Sequence, residues 1–175
     1  MRRIVSTLAD KFGGRPLVGA EVGVEKGDNA RNLLNHLNMS RLFLIDIWRP
    51  FVQNGKTVWT DEICAENYGL VVASFANSQN VTIVRKSSVE AAMNTPDWSL
   101  DFVYIDASHQ YDSVLQDCTV WFNKVRNGGI MAGHDYCMSW PGVILAVTKF
   151  SIDYRLQVMH GGDPDENADD WWIVV

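Results

Sequence analysis

A glycine-containing turn between an apolar run and a helical pattern constrains this chain more than any other feature. Residues 17–27 read Leu-Val-Gly-Ala-Glu-Val-Gly-Val-Glu-Lys-Gly, which predicts a buried strand, a tight turn and the start of a helix. Gly23 is expected to let a ligand approach the backbone, because a Cβ there would collide with it. A carboxylate at Glu21 would repel a phosphate. The turn therefore predicts a ligand that carries a cationic group. Other polar atoms of this ligand would face the N–H groups at the start of the helix.

The rest of the chain alternates apolar runs with helical patterns, which predicts a parallel sheet covered by helices on both sides. The predicted strands are Leu17–Val24, Arg41–Ile47, Val81–Arg85, Leu100–Asp106, Ile130–His134, Arg155–Met159 and Trp171–Val175. The predicted helices cover Ile4–Phe12, a segment from Asp28, Asp61–Phe75 capped by Thr60, a short helix opened by the capping box Ser87-x-x-Glu90, the stripe Tyr111–Val125, and a segment from Pro141. Residues 48–59 are expected to be an irregular insertion and residues 160–170 a polar acidic loop.

Four motifs in this order resemble those of the class I S-adenosylmethionine-dependent methyltransferases. They are Glu21-x-Gly23-x-x-x-Gly27, Asp46 at the end of Leu42–Asp46, Asp101–His109 and Asn127–Tyr136. The similarity runs from about Val18 to Phe150 and extends to a branch of small bacterial enzymes, some of which methylate hydroxyls with a bound divalent metal. It implies an α/β fold: a Rossmann-like, doubly wound, seven-stranded sheet in three α/β/α layers, mostly parallel and closed by a C-terminal antiparallel hairpin.

The resemblance implies S-adenosylmethionine as the cofactor. Its ammonium group would meet Glu21, and its ribose hydroxyls would donate to Asp46, which follows the glycine turn by about 20 residues. The predicted cofactor-binding residues are Glu21, Gly23, Val24, Glu25, Gly27, Asp46, Ile47, Trp48, Ser87, Ser88, Asp106, Ala107 and Ser108. Two interpretations stay open for some of them: the serines serve either the adenine edge or a helix cap, and Trp48 either covers the cofactor or packs in the core.

Methyl transfer to an oxygen requires loss of the acceptor's proton, either to a general base or with the help of a metal. The candidate catalytic residues are His109, Asp106 and His134. Asp106 and Asp135 end neighbouring predicted strands and form a candidate site for Mg²⁺ or another divalent metal. His134 stands where metal-dependent relatives often carry an acidic residue, and it favours softer ions such as zinc or iron. Without a metal, the aspartates would accept hydrogen bonds from cofactor, acceptor or loop N–H groups.

Three other functions remain compatible with the motifs. An NAD-dependent oxidoreductase uses the same fold, although Glu21 and the spacing between Gly23 and Gly27 disfavour it. A hydroxylase would place iron on His109, His134 and Asp135. A catalytically silent binding module, or a subunit that completes a partner's site, would bind the cofactor without turnover.

Composition narrows the partners and the location. The 175 residues are expected to form a single domain, residues 1–175, and the 47% hydrophobic content excludes a disordered chain. A net charge of −6 without a basic run argues against nucleic acid, and no apolar run approaches the roughly 20 residues of a membrane helix. Three widely spaced cysteines and no signal-peptide pattern favour reduced thiols and a cytoplasmic protein. The expected partner is a small-molecule acceptor of unknown identity, and a homodimer stays open.

Overall fold

The computed structural model describes residues 2–53, 55–162 and 169–175, and a seven-stranded sheet forms its centre. The strands of this sheet are β1 (Leu17–Val22), β2 (Met39–Asp46), β5 (Val81–Arg85), β6 (Leu100–Ile105), β7 (Val125–Gly133), β8 (Met159–Gly161) and β9 (Asp170–Val174). Their order is β5-β2-β1-β6-β7-β9-β8. The first five run parallel, whereas β9 is antiparallel to both β7 and β8. The predicted Rossmann-like sheet with its C-terminal antiparallel hairpin is therefore confirmed.

Six helices cover the sheet: α1 (Arg3–Phe12), α2 (Asp28–His36), α3 (Asp61–Phe75), α4 (Ser88–Met93), α5 (Tyr111–Phe122) and α6 (Pro141–Tyr154). Each face of the sheet has its own core, one packed against α1, α2 and α3 and the other against α4, α5 and α6. The central strand β6 is buried along its whole length, with Phe102 and Tyr104 in one core and Val103 and Ile105 in the other. Burial of both faces explains why β6 is apolar without interruption from Phe102 to Ile105. Within the described part of the chain, no helix has the length and apolar content needed to cross a membrane.

The boundaries of several predicted elements are wrong. Helix α6 continues to Tyr154 and ends at Arg155, which adopts a left-handed φ of +56°. The alternation of Leu156 and Val158, which suggested a strand over Arg155–Met159, instead packs a non-strand segment against the core. Val125 is the first residue of β7 and not part of the preceding helix, because its backbone pairs with β6.

The insertion over residues 48–59 was expected to be irregular, but it contains a β-hairpin. Strands β3 (Phe51–Gln53) and β4 (Lys56–Val58) pair in antiparallel fashion, and the Phe51 and Trp59 rings meet edge to face with centroids 5.9 Å apart. Breaker residues such as Gly55, with φ +73°, form the hairpin turn, and strands this short carry no periodic signal. Asn54 in this insertion and residues 163–168 of the predicted acidic loop lie outside the described residues.

Ser87 and Ser88 open α4 and have different roles. Ser87 forms the predicted capping box, in which its hydroxyl accepts from the Glu90 N–H and the Glu90 carboxylate accepts from the Ser87 N–H. The Ser88 hydroxyl donates to Asp117 of α5 and accepts from the Trp121 indole N–H at 2.8 Å. Burial raises the pKa of Asp117 to about 6, and the bond from Ser88 opposes this rise only in part. The Ser88 hydroxyl therefore joins α4 to α5.

Replacing this buried carboxyl, Asp117→Asn, should stabilise the protein at alkaline pH. The folded-state pKa of Asp117 lies above the ordinary unfolded value, so its protonation favours folding below about pH 4, and this contribution is lost as pH rises through about 6. The variant does not titrate there. Its advantage in free energy of unfolding should grow by about 2–3 kcal/mol between about pH 4 and pH 8. Urea unfolding at both pH values measures this difference, and a pH-independent difference would contradict the assignment.

Candidate functional site

The candidate site lies at the carboxyl edge of the sheet, in a cavity of about 780 Å³. In the sheet, β1 lies between β2 on one side and β6 on the other, so the order of the strands reverses at β1. Ligands of open α/β sheets bind at such a reversal, beyond the carboxyl ends of the strands. The predicted site residues that line it are Glu21, Gly23, Val24, Glu25, Asp46, Ile47, Ser87, Ser88, Asp106, Ala107, Ser108, His109, His134 and Asp135. The fold therefore brings together residues from four separate sequence motifs.

The two motif glycines are required by the protein's own packing. Gly23 has φ +87°, and a Cβ there would lie 2.0 Å from the Asp106 carbonyl oxygen. The loop after β6 therefore already excludes a Cβ at this position. Gly23 lines the cavity, and its contact with the cofactor stays a prediction. Gly27, with φ +80°, is the N-cap of α2 in place of the predicted Asp28, and its Cβ would lie 3.0 Å from the Phe75 ring. Gly27 lies outside the cavity lining.

Glu21, at the end of β1, is a buried carboxyl group with an unmet hydrogen-bonding capacity. The Asn29 side-chain amide donates to its Oε1 at 3.1 Å, whereas Oε2 has no hydrogen-bond partner among the described residues. Burial raises the pKa of Glu21 to about 8, although the bond from Asn29 opposes this. An unpartnered buried carboxyl oxygen is unfavourable, and an ammonium donor would satisfy it.

Asp46 organises the loop between β1 and α2. Its Oδ2 accepts from the backbone N–H groups of Val24 at 2.9 Å and Glu25 at 3.0 Å, and its Oδ1 accepts from the Trp48 N–H at 2.8 Å. Oδ1, which accepts only one of these N–H groups, has a further lone pair, so the side chain can still accept from ligand hydroxyls at the cavity.

The Trp48 side chain belongs to the core and is not a cofactor contact. It is 2% exposed, its ring lies 5.0 Å from the Tyr68 ring, and its indole N–H donates to the Glu25 carbonyl at 2.9 Å. The prediction that Trp48 covers the cofactor is wrong, because the left-handed backbone at this residue, φ +42°, turns the indole beneath the loop. Its alternative, packing in the core, is the one observed.

Two histidines flank Asp135 on the opposite side of the cavity. The His109 Nε2 lies 2.6 Å from Asp135 Oδ2, and the His134 Nδ1 lies 3.4 Å from Asp135 Oδ1. The Trp140 ring stacks on the His109 ring at 4.2 Å. Burial opposes ionisation of Asp135, but the hydrogen bonds and charges of the histidines hold its pKa well below the usual range. A carboxylate that orients a stacked imidazole is a common device for a general base.

Three donors at this end of the cavity have the spacing of a metal site. Asp106, His134 and Asp135 each offer one ligand atom, and these atoms lie within 4.8 Å of one another. The set adds His134 to the predicted pair of aspartates. Two carboxylates with one imidazole suit Mn²⁺ or Zn²⁺ better than Mg²⁺, which prefers oxygen ligands.

The cavity also contains Arg2, a residue that the motifs did not identify. Its Nη1 donates to the Tyr104 hydroxyl at 2.7 Å and to Asp106 Oδ2 at 2.8 Å. The Tyr104 hydroxyl in turn donates to Asp170 at 2.7 Å, and Asp170 accepts from the Ile4 N–H at 2.8 Å. These contacts join positions more than 60 residues apart, and no local pattern predicts them.

An apolar wall made by the β3–β4 hairpin and the loop before α6 closes the same cavity. Its members are Phe51, Val52, Val58, Trp59 and Trp140. The Gln110 side-chain amide, which follows the His109 position, donates to the Val52 carbonyl at 3.5 Å. The hairpin therefore reaches across the site toward the residues that flank Asp135.

A family model described as a methyltransferase domain matches residues 20–136. This segment covers more than half of the chain and includes the ends of β1, β2, β5, β6 and β7 that build the cavity. The chain belongs to this methyltransferase family. The resemblance to class I S-adenosylmethionine-dependent methyltransferases is thereby confirmed, and the family implies S-adenosylmethionine as the cofactor of this methyltransferase domain.

Solved structures share the fold of the methyltransferase domain at low sequence identity. The O-methyltransferase NovP superposes with a TM-score of 0.70 and 17% identity, covering 98% of this chain and 78% of NovP. A precorrin-6y C5,15-methyltransferase from Geobacter metallireducens gives 0.68 and 14%, covering 97% of this chain and 86% of its own. Among curated sequences, an uncharacterized protein of Acanthamoeba polyphaga mimivirus is 26% identical over 158 residues, 87% of this chain and 67% of that protein.

Proposed function

We propose that this methyltransferase domain transfers the methyl group of S-adenosylmethionine to a hydroxyl oxygen of a small molecule, with His109 as the general base. The observation that carries the proposal is the placement of two unlike groups across one cavity. Glu21 and Asp46 offer carboxylate oxygens on one side, and the His109–Asp135 pair lies on the other. The likeness to NovP, which is named an O-methyltransferase, agrees with oxygen as the acceptor.

The cofactor side follows from the chemistry of its groups. The open Oε2 of Glu21 suits the ammonium group of the cofactor. The Asp46 carboxylate, already fixed by three backbone N–H groups, suits the two ribose hydroxyls. Ser87 and Ile47 lie beside the remaining part of the cavity, where the adenine would be placed, and the apolar wall of the hairpin would exclude water from the reacting groups.

Methyl transfer is an in-line displacement in which an acceptor-oxygen-to-carbon bond forms as the sulfur-to-carbon bond breaks. The bonding electrons go to sulfur, which leaves as the neutral thioether of S-adenosylhomocysteine. The acceptor proton goes to the His109 imidazole. Since Asp135 is a carboxylate, it would accept from Nε2 and hold the imidazole in one orientation. The protein's main contribution is to hold acceptor and base in line.

Metal-assisted transfer is the second candidate, favoured by the spacing of Asp106, His134 and Asp135. These three residues would hold a divalent ion, which would lower the pKa of the acceptor hydroxyl. Both carboxylates already pair with cations or donors of the chain itself, Arg2 at Asp106 and His109 at Asp135. Asp106 has a second carboxylate oxygen for an ion, whereas both oxygens of Asp135 already face histidine nitrogens.

Asp46→Ala should weaken binding of S-adenosylmethionine by about 30- to 100-fold, because charge-assisted hydrogen bonds to both ribose hydroxyls are lost. Calorimetric titration with S-adenosylmethionine and S-adenosylhomocysteine measures the change, with Asp10→Ala on the exposed face of α1 as the matched control. Turnover is then followed as S-adenosylhomocysteine release with a panel of phenols, sugars and hydroxy acids. If wild-type protein binds neither ligand, the proposal is wrong.

The same turnover assay separates the two modes of proton removal. Turnover that survives exhaustive chelation supports His109 alone, whereas turnover that disappears on chelation and returns with Mn²⁺ or Mg²⁺ supports the metal. Tight cofactor binding without turnover across the whole panel would favour a binding module or a partner-dependent subunit over an enzyme.

A further inference from the structure

Arg2 places a largely buried positive charge at the floor of the cavity. Its side chain is 24% exposed, and its two hydrogen bonds run to the Tyr104 hydroxyl and to Asp106. Burial by itself lowers the pKa of Arg2, but Tyr104 and Asp106 outweigh this effect and raise its pKa above the ordinary value. The guanidinium is therefore always charged.

Anchoring of the first helix does not explain this buried charge. Ile4, Val5 and Leu8 are fully buried and pack α1 against the sheet. The Ile4 N–H donates to Asp170 and not to the Arg2 side chain, and the Arg2 side chain makes no cap hydrogen bond to the helix. Helix α1 thus has an apolar face and a partner for its first turn without direct help from the guanidinium. The guanidinium instead lines the cavity, where it pairs with Asp106.

The guanidinium lines the same cavity as the carboxyl group proposed to bind the cofactor's ammonium. Asp106, Arg2 and Asp46 are the groups whose charges act on Glu21, and Arg2 is the cation among them. The amino-acid end of S-adenosylmethionine carries an ammonium and a carboxylate on the same carbon. A ligand whose ammonium meets Glu21 must therefore bring a carboxylate within a few ångströms of it.

We propose that Arg2 is the counter-ion of the cofactor carboxylate, so that Arg2 and Glu21 together clamp the zwitterionic end of the cofactor. The proposal rests on the proposed function for the identity of the cofactor. Within the described part of the chain, both hydrogen bonds of Arg2 leave from Nη1. The edge formed by Nε and Nη2 can therefore take a carboxylate in the two-pronged geometry that guanidinium groups favour, while Asp106 keeps its own bond.

The test compares two ligands that differ only in the carboxylate: S-adenosylhomocysteine and its decarboxylated analogue, which keeps the ammonium. For wild-type protein, we expect the analogue to bind about 10- to 100-fold more weakly, as for loss of a charge-assisted pair. In Arg2→Met, the affinity for S-adenosylhomocysteine should fall by the same factor, and the affinity for the analogue should stay within about twofold of wild type. Arg3→Met, at the exposed neighbouring position, should change neither affinity.

Each other outcome overturns the proposal. Equal weakening of both ligands in Arg2→Met means that Arg2 only shapes the site, and unchanged affinity for S-adenosylhomocysteine means that the carboxylate lies elsewhere. Arg2→Lys is a second variant, which keeps the positive charge but cannot bind a carboxylate through two nitrogens. It should cause an intermediate loss of affinity for S-adenosylhomocysteine and leave the affinity for the analogue unchanged. Failure of wild-type protein to bind S-adenosylhomocysteine at all would instead reject the proposed function.

Discussion

His109→Gln should lower turnover of the hydroxyl acceptor by about 100- to 10,000-fold, the range for loss of a general base. Glutamine keeps an N–H that can donate to Asp135, so the carboxylate stays partnered and the loop geometry is preserved. The imidazole's ability to accept the acceptor proton is lost. Affinity for S-adenosylhomocysteine should stay within about twofold, since the proton acceptor contributes to the transition state and not to cofactor binding. Single-turnover rates and calorimetry measure the two quantities separately.

A substitution at another histidine controls for the general effect of removing an imidazole. His36→Gln, on the exposed end of α2, is the matched variant and should retain the wild-type single-turnover rate and cofactor affinity. A loss below about tenfold in His109→Gln, together with turnover abolished by chelation, would assign the chemistry to a metal at Asp106, His134 and Asp135.

Glu21→Gln should weaken binding of S-adenosylmethionine by about 30- to 100-fold at about pH 8, because the ammonium loses its charged acceptor. In free wild-type protein the pKa of Glu21 is about 8, so the group is mostly protonated at neutral pH. The ligand's ammonium favours the ionised form, and binding below that pH must release a proton. Wild-type affinity should therefore rise by up to about tenfold per pH unit toward pH 8, whereas the affinity of the variant should not change over that range.

Calorimetry in two buffers of different ionisation enthalpy counts the released proton directly. Glu66→Gln, on the exposed face of α3, serves as the control and should keep both the affinity and its pH dependence.

Loss of the folded structure in Glu21→Gln cannot explain the expected result. Since the folded-state pKa of Glu21 is raised, its ionisation destabilises wild-type protein as pH rises through about 8, and Glu21→Gln should unfold at an equal or higher temperature there. Proton release that persists in Glu21→Gln would contradict the assignment.

The parts of the fold that leave a local pattern of apolar residues along the chain could be predicted from the sequence. Buried parallel strands produce continuous apolar runs, and β6 between Phe102 and Ile105 is the clearest case. Strand ends carry the polar groups, so Glu21, Asp46, Asp106 and Asp135 could be expected to meet at one edge once the sheet was recognised. Their chemistry followed from residue type, and the structure places all four in one cavity.

The missed features depend on contacts between distant positions. Arg2 reaches the site because α1 packs against α2 and β9 and Asp170 of the last strand holds the Ile4 N–H. Neither contact has a local signature. The packing of Gly23 against the loop after β6 could not be predicted for the same reason, since the atom its Cβ would meet belongs to Asp106. Strands β3 and β4 are too short for their alternation to stand out from the surrounding breaker residues.

The hydrogen bond between the Trp48 indole and the Glu25 carbonyl has an optical consequence. Indole emission responds to the polarity and hydrogen bonding around the ring, and Trp48 is held at 2% exposure beneath the loop that joins β1 to α2. Glu25 lines the cavity on the other side of that loop. A ligand that reorders the loop therefore changes the surroundings of Trp48 without touching its ring. The fluorescence of Trp48 should then report whether a ligand occupies the cavity.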